Sequence, residues 1–539
     1  MDRLAFLDWL VIGVYFALVF GVAIWASWSE RRGRETSADY FLAGRDAGWF
    51  VIGGSLFASN IGAEHLVGLA GTGAASGVAV AQFEVLASLI LLLLGWVFVP
   101  FYLASGVYTM PEFLERRYSA GARWYLAVIS IIGYVLTKIS VTIAAGGIVF
   151  HALIGIDFWT GAMIVVVVTG VYTIFGGLRA VLYTDLFQMF VLIAGAVAVT
   201  LVGLSALGGW DALEAAVAPS FLDIWRPATD PDFPWTGILF GAPILGVWYW
   251  CTDQFIVQRV LAAKNQTEAR RGTIFAGFLK LLPLFIFVLP GVIAYALAQS
   301  GRITLTDPDQ ALPTLVAALL PVGLRGLVVA GLLAALMSSL SSVFNSTSTL
   351  ITWDVYRKLK PDASERRLVF VGQVSTAILV VFGLLWVPLM ERISEQLYQY
   401  IQSVQAYISP PIAAAFLLGV FWKRVNAKGV MTALIAGFVI GMARLVLELE
   451  GDVLGDGWLA AFVGINFLHF AVFLFLFSCA VMVVVSLATD PPPAEKTAGL
   501  TYETRTPAEI GAPPVPQRRM DLVFTVVLIA CVGLLWLYF

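Results

Sequence analysis

The stretch Ser55–Gly71, SLFASNIGAEHLVGLAG, decides the fold, because it sets polar residues and glycine inside an apolar run long enough to cross a membrane. Asn60, Gly62 and His65 interrupt this run close together, and such a composition disfavours a continuous helix. In a bilayer a break is tolerated only where protein or a watery cavity satisfies the freed backbone groups. The stretch therefore predicts a broken membrane helix that lines a solute or ion pathway.

The composition of the whole chain agrees with a membrane protein. Of its 539 residues 60% are hydrophobic and only 12% are charged, and the mean hydropathy is +0.89. These values exclude an ordinary soluble domain. A net charge of -3 leaves no basic surface for nucleic acid, so no nucleic-acid partner is expected.

Apolar runs of spanning length recur along the chain, and about fourteen membrane helices are predicted. This is an all-α polytopic fold. The predicted spans are residues 5–28, 48–71, 78–104, 122–150, 157–177, 181–205, 235–257, 272–298, 323–356, 367–389, 394–420, 428–448, 460–487 and 520–539. The first run lacks a basic leader region and a small-residue cleavage site, so it is interpreted as a retained helix.

Charged loops give the orientation, because cytoplasmic loops carry an excess of Lys and Arg. If the N-terminus lies outside, the odd-numbered connections between spans lie in the cytoplasm, and each of them is basic. These connections are SERRGRE, EFLERRYSAGAR, GGLRA, QRVLAAKNQTEARR with Arg259 and Arg270, YRKLKPDASERR, WKRVNAKG and the loop 489–519. Both termini are predicted outside a plasma (inner) membrane. The loop 489–519 is rich in proline and is expected to be cytoplasmic and disordered.

Ionisable residues inside apolar runs are costly and usually mark a pathway. Glu84 and Lys280 lie deep in their runs with opposite charge, which favours mutual pairing. For Asp185 and Asp253, nearer the predicted cytoplasmic ends, a pathway role and simple extension to the headgroups stay open. His65 alone is more often a structural hydrogen-bond donor than a ligand.

A second polar tract supports the pathway reading. The stretch from Leu336 to Asp354, LMSSLSSVFNSTSTLITWD, carries eight hydroxyl residues, and hard oxygen donors are what an alkali cation prefers. Hydrogen bonding between packed helices would explain some of these hydroxyls. The aromatic run GVWYWCTDQ could cover the face of a sugar, although aromatics are common at membrane interfaces.

Long motifs of this chain resemble the solute:sodium symporters, most closely their sodium/glucose cotransporter branch. The motifs are DYFLAGRDAGWFVIGGSLFASNIGAEHLVGLAGTGAASG, YTMPEFLERRY, GGLRAVLYTD, VWYWCTDQFIVQR, GFLKLLP, LMSSLSSVFNSTSTLITWDVY and YIQSVQAYISPPIAAAFLLGVFWKRVN. The resemblance covers nearly the whole chain.

The resemblance implies a leucine-transporter-like core of two inverted five-helix repeats. Its predicted division is an extra helix and basic loop in 1–47, the first repeat in 48–205, an external loop in 206–234, the second repeat in 235–422, and three further helices in 423–539. The broken first helix of each repeat would fall at SNIGAEH and at LGVWYWC.

The resemblance also implies the site. Sugar-binding residues carried over by motif are Asn60, His65, Phe83, Glu84, Tyr249, Trp250, Lys280 and Gln402, and gate residues are Leu69, Phe83, Tyr398 and Tyr249. Na⁺ would bind carbonyl oxygens of Ala58, Ile61 and Ala335 and hydroxyls of Ser338 and Ser339. A second Na⁺ site would use Asp185, Ser341 and Ser342.

The function implied is sodium-coupled import of a glucose- or galactose-like monosaccharide by alternating access, with Na⁺ as the coupling ion. The partners are the small sugar and the bilayer, with no obligatory protein partner evident. One alternative is a symporter of the same fold for another solute such as myo-inositol. Another is a sugar-gated sodium channel or sensor. An enzyme is not expected, because no paired nucleophile and base or metal-ligand cluster stands out.

Overall fold

A computed structural model gives the structure of residues 4–30, 36–139, 142–143, 146, 154–390, 397–449, 457–505 and 515–539. A few side chains within these helices, among them those of Tyr398 and Gln402, lie outside the description. The described residues are helical apart from turns and two isolated bridges, Ala47–Ala263 and Arg226–Pro234. The all-α prediction is confirmed for this part of the chain.

Helices in the N-terminal part of the chain are Phe6–Glu30, Ser37–Leu42, Trp49–Asn60, Ala63–Ser76, Gln82–Leu93, Val99–Ser105, Met110–Arg117, Ala120–Gly133, Phe158–Leu207, Trp210–Ala216 and Pro219–Leu222. Those that follow are Trp235–Phe240, Ala242–Gly246, Gln254–Leu261, Gln266–Leu279, Leu289–Gln299, Ala311–Leu319, Leu324–Leu350, Arg357–Leu359, Glu365–Met390, Leu397–Phe421, Ala427–Leu449, Trp458–Val463, Phe467–Ala488 and Val515–Tyr538. Wider π-helical turns occur at Leu94–Phe98, Tyr134–Ile139, Val247–Thr252, Leu284–Val288 and Ile351–Tyr356.

Ten helices of the described residues are long and apolar enough to cross a membrane. The predicted count of about fourteen spans stays a prediction, since helix length and spans do not correspond one to one. The helix Phe158–Leu207, for example, covers two predicted spans. Gly177 divides it with a φ of +52°, and a Cβ there would lie 2.6 Å from the carbonyl oxygen of Tyr40, so only glycine fits this bend.

The first broken helix consists of Trp49–Asn60 and Ala63–Ser76. Ile61 and Gly62 between the two halves are extended, which confirms the break expected at SNIGAEH. A second irregular region follows Ala242–Gly246, where the wide turn Val247–Thr252 leads to extended backbone at Asp253.

The serine helix, Leu324–Leu350, lies at the centre of the molecule, and nearly all of its residues are buried. It packs against the bent helix Phe158–Leu207 and the first broken helix. A residue of another helix caps its N-terminal end. The carboxylate of Asp8, on the first helix, accepts hydrogen bonds from the amides of Gly323 at 2.7 Å and Gly326 at 2.8 Å. These amides have no partner within their own helix, so Asp8 satisfies them and its charge suits the helix dipole.

The proline-rich loop is better ordered than its composition indicated. Its part up to residue 505 packs on the ends of neighbouring helices, so the prediction of disorder is wrong there. Tyr502 stacks on Phe421 with ring centroids 5.2 Å apart and donates its amide to the carbonyl of Val420 at 2.9 Å. Lys496 donates to the carbonyl of Glu115 at 2.9 Å. An aromatic residue and a few backbone bonds thus outweigh a composition typical of disorder.

Candidate substrate and sodium site

A cavity of about 100 Å³ lies beside the break in the first broken helix. Six of the predicted sugar-binding residues line it: Asn60, His65, Phe83, Glu84, Tyr249 and Trp250. They come from the first broken helix, the start of helix Gln82–Leu93 and the wide turn Val247–Thr252. Residues far apart in sequence therefore meet at one cavity.

Two opposite charges meet at the edge of this cavity: Glu84 lines it, and Lys280 lies behind it. The ammonium of Lys280, which is fully buried, contacts both the carboxylate of Glu84 and the amide oxygen of Asn60. Glu84 lies in the first turn of its helix, and Lys280 follows the last turn of helix Gln266–Leu279. Each charge thus lies at the helix end whose dipole favours it. The predicted pairing of Glu84 with Lys280 is confirmed.

Asn60 links this pair to the aromatic side of the cavity. Its amide nitrogen donates to the hydroxyl of Tyr249 at 2.9 Å. The ring of Trp250 lies at 5.2 Å from that of Tyr249 and 5.2 Å from the ammonium of Lys280. Polar groups and aromatic faces on one cavity are the combination that a hydroxylated ring compound needs.

His65 begins the second half of the broken helix and lines the cavity. Its Nε2 lies 3.8 Å from Glu84, so the two groups are close but do not form a direct hydrogen bond. A hydroxyl of a bound solute placed between them would reach both groups.

The predicted gates are only partly described. Phe83 lines the cavity and packs on Phe233 and Phe467 at centroid distances of 6.2 and 6.5 Å. Leu69 is fully buried and does not line the cavity. The side chains of Tyr398 and Gln402 lie outside the described residues, whereas Gln405, one turn after Gln402, lines the cavity and was not predicted.

Predicted sodium ligands meet where the serine helix crosses the break. The hydroxyl of Ser338 donates to the carbonyl oxygens of Ala58 at 2.9 Å and Ala335 at 3.1 Å. Ser339 donates to the carbonyl of Ser59 at 3.2 Å. Ile61, the fifth predicted ligand, is the extended residue at which the first half-helix ends. Buried neutral oxygens from two helices fit an alkali cation.

A positively charged side chain, Arg259, lies at the predicted second sodium site. The charge pattern of the sequence counts Arg259 with a cytoplasmic loop, but in the structure it is buried and lies 3.4 Å from the carboxylate of Asp185. It also contacts Ser342, while Ser341 donates to the carbonyl of Ser338 at 3.0 Å. Asp185 further accepts from Ser55 at 2.6 Å. Asp185 is therefore a buried, paired carboxylate, and extension to the headgroups does not describe it.

A second unpredicted cation, Lys138, lies on the wall of the cavity. Its ammonium lies 2.7 Å from Asp253 and 4.6 Å from the ring centroid of Tyr249. Tyr134 also donates its hydroxyl to Asp253, so that carboxylate too is buried and paired. A lone lysine in the apolar span 122–150 was the signal that could have identified this pair.

Comparison with known proteins decides the family. A sequence model described as the sodium:solute symporter family matches residues 40–437. The chain belongs to the sodium:solute symporter family. Membership makes Na⁺ the coupling ion and the chain a multi-pass membrane transporter.

The symporter has similar relatives along most of its length. It is 41% identical to sodium/glucose cotransporter 1 of Oryctolagus cuniculus over 93% of this chain and 82% of that protein. It is 42% identical to the human (Homo sapiens) sodium/glucose cotransporter 4, over 92% of this chain and 78% of the relative. The human sodium/myo-inositol cotransporter is 41% identical over 92% of this chain and 75% of its own length.

Solved structures confirm the fold of the symporter. A Na⁺-coupled sialic acid symporter in a substrate-bound, outward-open state superposes with a TM-score of 0.78 at 21% identity, covering 90% of this chain and 99% of that one. A transporter of the nucleobase-cation-symport-1 family gives a TM-score of 0.53 at 15% identity, over 85% of this chain and 97% of that one. The leucine-transporter-like architecture is therefore shown at the level of the fold.

Proposed function

We propose that this protein imports a glucose- or galactose-like monosaccharide together with Na⁺ by alternating access. The observation that carries the proposal is a hydrogen-bonded network beside a broken helix: Glu84, Asn60 and Tyr249 line the cavity, and the buried ammonium of Lys280 joins Glu84 to Asn60. A neutral sugar meets a carboxylate, an amide and a hydroxyl there, all of which can bond hydroxyl groups. The names of the relatives support the same class of solute.

The sugar would lie between Trp250 and the Glu84–Lys280 pair, with His65 and Gln402 completing its hydrogen bonds. In this proposal Leu69, Phe83 and Tyr398 close the outer side and Tyr249 closes the inner side. The carbonyl–hydroxyl cluster of Ala58, Ile61, Ala335, Ser338 and Ser339 would hold Na⁺.

Coupling follows from the position of that cluster. Na⁺ bound there joins the first broken helix to the serine helix and so favours one conformation of the helix that carries Asn60. A solute that binds this conformation better must raise the affinity for Na⁺ by the same factor by which Na⁺ raises the affinity for the solute. At about 100 mV, inside negative, one Na⁺ gains roughly 2.3 kcal/mol, and a tenfold gradient adds about 1.4 kcal/mol. One ion could therefore sustain roughly 500-fold accumulation of solute.

The proposal also includes the sidedness and the repeats. Both termini lie outside, because the connections predicted to be cytoplasmic carry the basic residues. The two inverted repeats occupy 48–205 and 235–422, so that the cavity lies between their first helices.

The test is uptake of labelled glucose and galactose into proteoliposomes with an inward Na⁺ gradient, with K⁺ replacing Na⁺ as the control. Accumulation above equilibrium that depends on Na⁺ is the expected result. The same vesicles tested with myo-inositol address the alternative that the inositol relative favours. Sodium current without accumulation of any solute would contradict symport and indicate the channel.

A further inference from the structure

The C-terminal helix, Val515–Tyr538, lies outside the predicted five-plus-five core. Most of its surface is exposed, yet Asp521, Leu528 and Val532 are fully or almost fully buried. These residues form one stripe, being seven and four residues apart. The stripe faces two helical segments, Val78–Ser105, which carries Glu84, and Gln266–Gln299, which carries Lys280. The helix contacts both segments at two levels and the first segment alone at a third.

At the cytoplasmic level Asp521 accepts from Arg270 at 3.0 Å and from Arg271 at 2.8 Å. The guanidinium of Arg270 lies 4.5 Å from the ring centroid of Trp96, and Trp96 donates its Nε1 to the hydroxyl of Thr525 at 3.0 Å. A buried carboxylate with two cationic partners fixes this end of the helix against both segments.

At the middle level Leu528 packs against Leu92 and Ile274, one from each segment. Gly277 allows this approach, because a Cβ there would lie 2.6 Å from Leu528. Asp521 meets Arg270 and, seven residues on, Leu528 meets Gly277, so the two helices run parallel in constant register. Lys280 follows Gly277 by one turn.

At the outer level Trp536 donates its Nε1 to the side-chain oxygen of Gln82 at 2.8 Å. Gln82 is fully buried and precedes Glu84 by two residues, in the same first turn. The backbone carbonyl of Trp536 also accepts from Trp225 of the external loop at 3.2 Å. Trp536 therefore ties the first turn of the Glu84 helix to the C-terminal helix and to that loop.

We propose that the C-terminal helix positions the Glu84–Lys280 pair, and that Gln82 is the positioning residue through which Trp536 acts on Glu84. The inference rests on the proposed sugar site. The 3-10 turn Val78–Ala81 leads directly into the helix Gln82–Leu93, so Gln82 and Glu84 lie on one helical turn and a contact that holds Gln82 also holds Glu84. The Trp536–Gln82 bond holds that turn on one side, and the Asp521–Arg270 contact holds the Lys280 helix on the other.

The test is Trp536→Phe, which keeps one aromatic ring and removes the N–H that donates to Gln82. The sugar concentration for half-maximal uptake should rise about fivefold, the effect of one neutral hydrogen bond, while the maximal rate and the Na⁺ half-saturation stay within about twofold. Gln82→Met removes the same bond and also the longer bond from the Gln82 amide to the carbonyl of Ile224, so its rise should be at least as large. The double variant should give no more than Gln82→Met alone, because both changes remove the Trp536–Gln82 bond.

Leu534→Ala, on the exposed face of the same helix, is the matched control and should leave all three quantities unchanged. An unchanged sugar affinity in Trp536→Phe, or additive effects in the double variant, would overturn the inference.

A second readout does not need sugar transport. Ala87 lines the cavity one turn after Glu84, and Ala87→Cys offers a thiol there. Its alkylation rate is obtained by subtracting the rate of the parent chain, which lacks Ala87→Cys. This rate should change severalfold with Trp536→Phe and not with Leu534→Ala. If wild-type vesicles accumulate no sugar, the proposed function fails, and this rate still decides whether Trp536 positions the Glu84 turn.

Discussion

Ser338 donates its hydroxyl to the carbonyl oxygen of Ala58 over 2.9 Å and so joins the serine helix to the last turn of the first half-helix. This contact connects the predicted sodium ligands to the helix that carries Asn60. The predicted sodium ligand Ala58 and the predicted solute ligand Asn60 therefore lie on the same half-helix.

Ser338→Ala should lower the affinity for Na⁺ by on the order of tenfold, because one oxygen ligand is lost from a buried site. The measurement is the Na⁺ dependence of sugar uptake at saturating sugar. Ser348→Ala serves as the control, because it removes a buried hydroxyl of the same helix that donates to the carbonyl of Asn345 one turn back. Equal effects of the two changes would contradict the assignment of Ser338.

Glu84→Gln should abolish sugar uptake and lower the melting temperature. The change leaves the fully buried ammonium of Lys280 without its counter-charge, and breaking a buried pair costs about 3–5 kcal/mol. Adding Lys280→Met should recover the melting temperature and leave uptake absent. Glu503→Gln, which breaks the exposed pair with Lys423, should change stability by less than about 1 kcal/mol. Uptake that returns in the double variant would show that the charges are not needed for binding.

Asp185→Asn should lower the Hill coefficient for Na⁺ from about two to about one if Asp185 binds a second ion, since the coefficient is limited by the number of sites. Arg259 already contacts this carboxylate, so a second Na⁺ would have to share it. Asp354→Asn provides a control, because Asp354 is equally buried and pairs with Arg123 instead. A coefficient that Asp185→Asn leaves unchanged removes the second site.

Asp309 should make stability depend on pH near neutrality. It packs against Gly71 of the first broken helix, and burial, together with Asp307, raises its pKa to about 7. Between about pH 4 and pH 7 the folded protein then binds more protons than the unfolded chain, whose carboxyl has a pKa of about 3.9. Stability therefore falls as pH rises from about 4 to about 7 and levels off above about 7, which melting temperatures measured from pH 5 to 8 would show.

Asp309→Asn should remove that decline. Asp307→Asn should shift it to lower pH, because one of the two causes of the raised pKa is gone. The same decline in wild type and in Asp309→Asn would contradict this role of the carboxyl.

Some features of the site could be predicted from sequence because they depend on local composition or on the pairing of opposite charges. The break at Asn60 follows from composition alone, and Glu84 and Lys280 are opposite charges in apolar runs that have few other partners. Arg259 could not be placed in the same way. It lies at the start of a basic stretch, where a pattern of charges counts it with the loop, and only the fold turns it inward to Asp185.

The packing of the proline-rich loop was also beyond the sequence. Composition describes the average behaviour of a segment, whereas Tyr502 depends on one ring, Phe421, that the fold brings to it. Gln405 was missed for a smaller reason, since the residue chosen from the motif lies one turn earlier on the same helix.

The cap that Asp8 provides bears on any attempt to build a minimal version of this transporter. A chain trimmed to the ten helices of the two predicted repeats would keep every predicted ligand for Na⁺ and sugar. It would nevertheless leave the amides at Gly323 and Gly326 without their carboxylate, at the head of the helix that holds Ser338. The first helix thus supports the helix that carries two of the predicted sodium ligands, although none of the predicted ligands lies on the first helix itself.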